Sequence, residues 1–360
     1  MKMDFGRYPL GSVVAAALLA GCAGSQPPID ARMGAVASPQ DVSDFPQYVD
    51  GRGSWTMYTD TGFPQGIVRL QQDYWVANGD MSTSLSRITP KGKLTTFEVG
   101  YSPLEMVSDG RGNLWFNVAI SLQTIVRFNV QNSKVAAFAL TDDTAGGIML
   151  GKDGNIWFVE VQHVGKLTPA GKLTEYPTPQ TEGGSGIAWG EDGLVWFVTY
   201  SATDRAYVLT SLNPKTGAVS ASNALATSSG LAIVAAADGS IWHGITGSPL
   251  YLARFDPKTK TTTMYKGPLN FSFSPCPGGM TLAPDGSIWY ASQRLRGTGF
   301  DKRVVGGAFV RFDVKEKQFT AYASPKGYSW NCELISGSNG TVWGTAGGAI
   351  TVLRGLRGSE

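Results

Sequence analysis

Oxygen donors dominate the side chains of this 360-residue chain that can do chemistry, and they fall at repeating places. Glu105, Glu160 and Glu333 are the carboxylates, and Gln65, Asn78, Thr199 and Ser292 accompany them. All lie at or next to positions eleven residues before or three after a tryptophan of one set: Trp75, Trp115, Trp157, Trp196, Trp242, Trp289 and Trp343. Carboxylates around a polar opening can hold Mg²⁺ or Ca²⁺ through oxygen. They can equally bond channel water and loop backbone. Glu160, in the phrase WFVE, is the candidate for catalysis. Imidazole is scarce, with two histidines in the chain. His163 begins a strand, and His243 follows Trp242 in a slot that other repeats fill with Phe or Tyr. Both read as structural. No spacing resembles a zinc site.

The elements that must position these groups are strands. The seven tryptophans recur at intervals of 39 to 54 residues. Around them the text repeats as GNLWF, GNIWF, DGLVWF, DGSIWH, DGSIWY and NGTVWG. The stretch 151–180 shows a whole unit: an Asp-Gly turn at Asp153-Gly154, a Trp-centred strand, a strand ending in LTP, and LTEYPTP after a Gly turn. Four short strands with tight turns at this period make a propeller blade. The expected fold is all-β: a seven-bladed β-propeller of four-stranded blades. The blades run roughly 61–99, 100–141, 142–181, 182–226, 227–267, 268–323 and 324–353. The last unit has no fourth strand of its own. Ser54–Asp60, SWTMYTD, matches the last strand of the internal unit and is expected to close the seventh blade.

Hairpin geometry brings Gly146 and Glu160 to the same end of the third blade. Repetition round the ring then places the equivalent positions at the mouth of a central channel. The glycines of the Asp-Gly turns accept positive φ. No helix follows them, so they are not phosphate loops. The repeated Trp is expected to pack between adjacent blades. Blade six carries the largest insertion, 292–307, with Arg294, Arg296, Lys302 and Arg303. It reads either as a solvated loop or as a basic lid over the mouth.

Residues 1–21 read as a leader, with Lys2 and Arg7 before an apolar run that is too short to span a bilayer. The run ends in Leu19-Ala20-Gly21-Cys22. This resembles the bacterial lipobox, so Cys22 is the expected acylation site and the lipid membrane an expected partner. An ordinary secretory signal with a chance Cys is the alternative. Ala23 after the Cys resembles the pattern sorted to the outer membrane, facing the periplasm, in a Gram-negative host. Residues 22–52 read as a tether, and 53–360 as the propeller. Export permits a disulfide between Cys276 and Cys332, which fall at the mouth on neighbouring blades. A net charge of +2 argues against nucleic acid. A monomer is expected.

The phrases GNIWF, GKLTP and LTEYPTP resemble the streptogramin lyase (virginiamycin B lyase) family over nearly all the chain after Gly53. The resemblance implies a seven-bladed propeller that opens a cyclic depsipeptide by elimination, with Mg²⁺. It also implies histidines just before the Gly-Ile that opens two successive blades, and a Glu in a WFTE phrase. Glu160 matches that Glu. The histidine places hold Gln65, Leu104, Gly146, Ser185, Gly278 and Cys332. No general acid or base near neutral pH is then evident. The leading expectation is binding of a small molecule, peptide or glycan at the mouth. A lyase with altered residues and a metal-dependent lactonase-like hydrolase are the alternatives.

Overall fold

Second strands such as Ile156–Glu160 and Ile241–Ile245 are buried along their whole length, so each sheet must be covered on both faces, and the cover is another sheet on each side. A computed structural model describes residues 49–59, 63–79, 82–118, 123–179, 186–201, 206–225, 232–245, 251–268, 271–273, 279–296, 303–325, 331–346 and 348–357. The expected leader, Cys22 and most of the tether lie outside these residues. So do Cys276 and Lys302.

The strands form seven sheets. The first blade pairs Phe63–Leu70, Asp73–Gly79, Ser84–Ile88 and Leu94–Glu98 in order, all antiparallel. The second to fifth repeat this meander and open with Pro103–Ser108, Thr144–Leu150, Ile187–Trp189 and Ile233–Ala235. The sixth opens with Met280–Leu282 and the seventh with Asn331–Ser336. Each opening strand touches the opening strand of the next blade, and the seventh touches the first. The ring is closed, as expected.

Seven apolar clusters hold it, one in each seam. Trp157, for example, packs with Val195 and Phe197 of the next blade, and Trp343 packs with Ile67, Tyr74 and Val76 of the first. The indole N–H is also satisfied. Trp157 donates to Asp153 at 3.1 Å and Trp196 to Asp192 at 3.1 Å. Trp242, Trp289 and Trp343 donate instead to Ser240, Ser287 and Thr341 at 2.9, 3.1 and 3.2 Å. The turn thus does more than reverse the chain. Its acceptor fixes the ring that fills the seam, and Gly154 behind Asp153 takes φ +75°.

Closure of the last blade follows the expected route. Arg52–Tyr58 lies antiparallel on Ala349–Arg357, with Trp55 opposite Leu353 and Tyr58 opposite Ile350. Pairing begins earlier than Ser54, inside the stretch read as tether. Val49–Asp50 runs parallel to Gln318–Ala323 of blade six, with Val49 opposite Thr320. The N-terminal segment therefore spans two blades.

Blade six differs from the insertion reading. Ile288–Arg296 and Arg303–Asp313 stay paired far into the insertion, with Ser292 opposite Ala308 and Arg296 opposite Arg303. Phe271–Phe273 covers the extended part, pairing with Ser292–Arg294. The insertion is thus a prolonged hairpin, since its backbone groups find partners in register. Arg296 is exposed on it.

Deleting Ser54–Asp60 should uncover the edge of Ala349–Arg357 and the Trp343 seam. The expected loss is on the order of 5 kcal/mol, a fall of roughly 10 °C in the melting midpoint. Differential scanning calorimetry checks this, and an unchanged midpoint would mean the ring closes without that strand.

Candidate functional site at the channel mouth

The expected site residues divide into two sets by the strand that carries them. Gln65, Glu105 and Glu333 sit on the opening strands that ring the axis. Asn78, Glu160, Thr199 and Ser292 sit on second strands and are buried within the blades. The cause is parity. Three residues on from Trp is an odd step, so the side chain faces the seam opposite to the one Trp fills. Asn78 donates to Ser84 at 3.1 Å and to Ser86 at 2.9 Å on the third strand. Thr199 bonds Thr210 at 2.7 Å in the same way. Ser292 is fully buried opposite Ala308. Asn78 and Thr199 thus bond to the third strand of their own sheet rather than lining the opening.

Glu160 follows the same rule with a different result. Its side chain lies over Gly165, where a Cβ would fall 2.6 Å from Oε1. There it reaches Glu175, with which it shares a hydrogen bond, and accepts from the Asp142 backbone N–H at 3.3 Å. Burial, and then the charge of Glu175, push Glu160 up to about 8. Glu175 accepts from the Thr141 backbone N–H at 2.9 Å and from its hydroxyl at 2.6 Å. Its partial burial acts to raise its pKa, but these bonds outweigh that and hold it below the usual range. Asp142 also meets His163 Nδ1 at 2.8 Å. At neutral pH the seam of blades two and three therefore carries a carboxylic acid donating to a carboxylate, beside an Asp–His pair. Asp142, His163 and Glu175 were not foreseen as a group. The available signal was Gly165, whose missing side chain opens the path across the sheet. His243 is fully buried in the aromatic slot, and burial lowers it to about 4, so it is neutral.

The opening strands carry a repeated device. Glu333 donates its N–H to Thr345 Oγ1 at 3.0 Å, and Thr345 donates to the Gln65 carbonyl at 3.1 Å. The Glu333 carboxyl accepts from the Ile67 N–H at 2.8 Å. In blade two, Glu105 donates its N–H to Asn117 Oδ1 at 2.8 Å, and Asn117 reaches the Gly146 carbonyl at 3.5 Å. The Glu105 carboxyl takes the Ile148 N–H. Each Glu thus ties its own blade to the next. Thr345 and Asn117 stand two residues after Trp343 and Trp115, and this pairing with an upstream Glu was legible but unread. Burial pushes Glu105 up to about 7. Burial, and then the charge of Glu105, push Glu333 well above the usual range.

Among the described residues no group of three or more His, Cys, Asp or Glu side chains is placed to hold a metal ion. The described donors do not fit the Mg²⁺ or Ca²⁺ that the resemblance suggested. The Cys276–Cys332 pairing lies outside the described side chains.

Because its pKa is raised, Glu160 binds a proton in the folded protein that the unfolded chain has already lost between about pH 4.5 and 8. Its contribution to stability is therefore full below pH 4.5 and declines as pH rises toward 8. Glu160→Gln should lose less stability than the parent between pH 5 and pH 8, read as the difference in urea midpoints. Parallel curves would show that Glu160 ionises normally.

Comparison with known proteins supplies the remaining context. Among solved structures, virginiamycin B lyase from Staphylococcus aureus superposes with a TM-score of 0.67 at 19% identity, over 84% of this chain and 99% of that one. The extracellular domain of a hybrid two-component system from B. thetaiotaomicron matches at 0.57 and 16%, over 81% and 40%. YCF48 with a bound peptide matches at 0.60 and 10%, over 84% and 95%. At these identities the likeness is one of fold. No curated protein matches in sequence. The virginiamycin B lyase family matches residues 51–300 and 112–354, which together take in every blade. The chain belongs to the virginiamycin B lyase family.

Proposed function

We propose that this is an exported, lipid-anchored member of the family that binds a small molecule, peptide or glycan at the channel mouth. The observation that carries this reading is the pair Glu105 and Glu333. They stand where Gly66, Gly147 and Gly186 stand in blades one, three and four. The opening strands of blades seven and two thus offer carboxyl groups at the axis, while the places before the blade-opening pair hold no imidazole. Such a mouth can grip a ligand through hydrogen bonds and charge, and it has no histidine to move a proton. The leader and Leu19-Ala20-Gly21-Cys22 support export and acylation. That a propeller of similar fold is an extracellular domain, and another holds a peptide, fits the same picture.

Elimination is the second reading, and the seam cluster favours it. Glu160 holds a proton while Glu175 is ionised, so one acid and one base stand together.

Incubation with a streptogramin B antibiotic followed by mass spectrometry separates the readings. The binding reading expects the intact ring to persist on chromatography. A linear product of unchanged mass would establish elimination, and one heavier by a water, hydrolysis. Cys22→Ser should move the protein from the membrane fraction to the soluble exported fraction. An unaltered distribution would remove the lipid anchor from the proposal.

A further inference from the structure

We propose that residues 303–306, the free edge of the prolonged hairpin in blade six, are a docking rail for an acidic, extended peptide segment that adds to the sheet as an outer strand. This goes beyond a ligand at the channel mouth and needs none there.

Four observations carry it. First, the outer strand stops short. Arg303–Asp313 pairs on one side with Ile288–Arg296, as far as Arg296 opposite Arg303. On its other side the register with Gln318–Ala323 ends at Ala308 opposite Ala323, and the Ser324 N–H then reaches the Gly307 carbonyl at 2.9 Å. Beyond that bond, 303–306 has no strand on this side among the described residues. Such an edge offers a row of backbone donors and acceptors for another chain to pair with. Second, this sheet already takes added strands. Blade six holds six strands where the other blades hold four. Phe271–Phe273 joins one side of it, and Val49–Asp50 joins the other in parallel, where the Gly51 N–H donates to the Ala321 carbonyl at 2.8 Å.

Third, the edge is apolar and open. Val304 and Val305 are 38% and 49% exposed. The register skips Val305, a bulge of the kind that re-aims side chains at sheet edges. Nothing lies within 4 Å of the place a Cβ on Gly306 would take, so a second backbone can approach closely. Fourth, positive charge gathers here. The stretch 292–307 has four basic residues and one acid, hence +3, against +2 for the whole chain. Arg296 is exposed and stands in register with Arg303, and like charges placed opposite disfavour each other. Arg254 and Arg311 are met by Asp238 and Asp285 at 2.9 and 3.0 Å, whereas no carboxylate meets Arg296 among the described residues.

The charge decides the occupant. A second copy would bring an equally positive edge against this one, and repulsion opposes that pairing. An acidic segment is drawn in by the same field, and its backbone completes the ladder. An anionic membrane surface supplies the charge without a matching row of backbone donors and acceptors.

The test is fluorescence anisotropy of the full chain with three labelled peptides: one in which Glu alternates with Val and Thr, its Lys counterpart, and the Glu peptide with every amide N-methylated. The expected result is binding of the unmodified Glu peptide alone, weakened by salt, with amide hydrogen exchange slowed over 303–307. Arg296→Glu should weaken it about fivefold and Val305→Glu about tenfold. Lys215→Glu, at an exposed turn of blade four, should leave it unchanged. Both edge positions are exposed, and melting curves confirm that each variant is folded. Equal binding of the Lys peptide would overturn the acidic occupant. Undiminished binding of the N-methylated peptide would overturn strand addition. Slowed exchange over 303–307 without peptide, in step with a dimer on sedimentation, would put a second copy on the edge instead. Capture by phosphatidylglycerol vesicles that Val305→Glu abolishes, with no peptide bound, would replace the peptide by a membrane. Silence from all three peptides would overturn the rail outright and leave the channel mouth to its own test.

Discussion

The structure depends on one contact made seven times, an indole wedged between two sheets, with its N–H held by the hairpin tip in blades two to seven. No blade has a core of its own. Each covers one face with the Trp of the preceding sheet and extends its own Trp to the following one. A ring built in this way has no natural first or last member, and all seams must be filled together. That explains why the N-terminal strand is carried to the far end of the chain to complete the seventh sheet. An unfinished sheet would expose a hydrogen-bonding edge and weaken the Trp343 stack, which includes Tyr74 at 3.7 Å and Tyr58 at 6.0 Å between ring centroids.

With the seams filled by aromatics, polar chemistry is confined to two places. One is the upper part of a seam, where strand two runs past its apolar rows. The other is the ring of opening strands. In the first place most polar groups are consumed by the sheet itself, as in the Asn78–Ser86 and Thr199–Thr210 pairs. Glu160 is the exception, because Gly165 lets it reach Glu175 and the chain linking blades two and three. In the second place, Glu105 and Glu333 serve two ends. Each carboxyl caps a backbone N–H of the neighbouring blade, and each keeps capacity to accept more.

The architecture was legible because its signal is a spacing. Trp recurs with turn text on one side and a basic or polar strand on the other, so the blade number and the borrowed closing strand could both be read. The site was less legible because spacing gives height along a strand and not the face. Residues three after Trp read as mouth residues by spacing, yet strand parity turns them from the Trp face to the other face of the sheet, where they are buried. The reach of Glu160 to Glu175 depends on the gap over Gly165, which the sequence displays only as one glycine among many, and the Asp142–His163 pair depends on the fold bringing the linking chain beside strand three. The paired strands of the blade-six insertion read in sequence as a loop or a lid because its Gly-rich, basic text hides the alternation of a strand.

The segment before the propeller joins it in two steps, and these differ in strength. Val49–Asp50 makes two register pairs with blade six, and Arg52–Tyr58 makes six with blade seven. Any tension arriving from upstream of Val49 is met first by the short parallel bridge. It parts before strain reaches the strand that locks the circle. A pull along the leading segment would therefore load two register pairs before the six that close the ring.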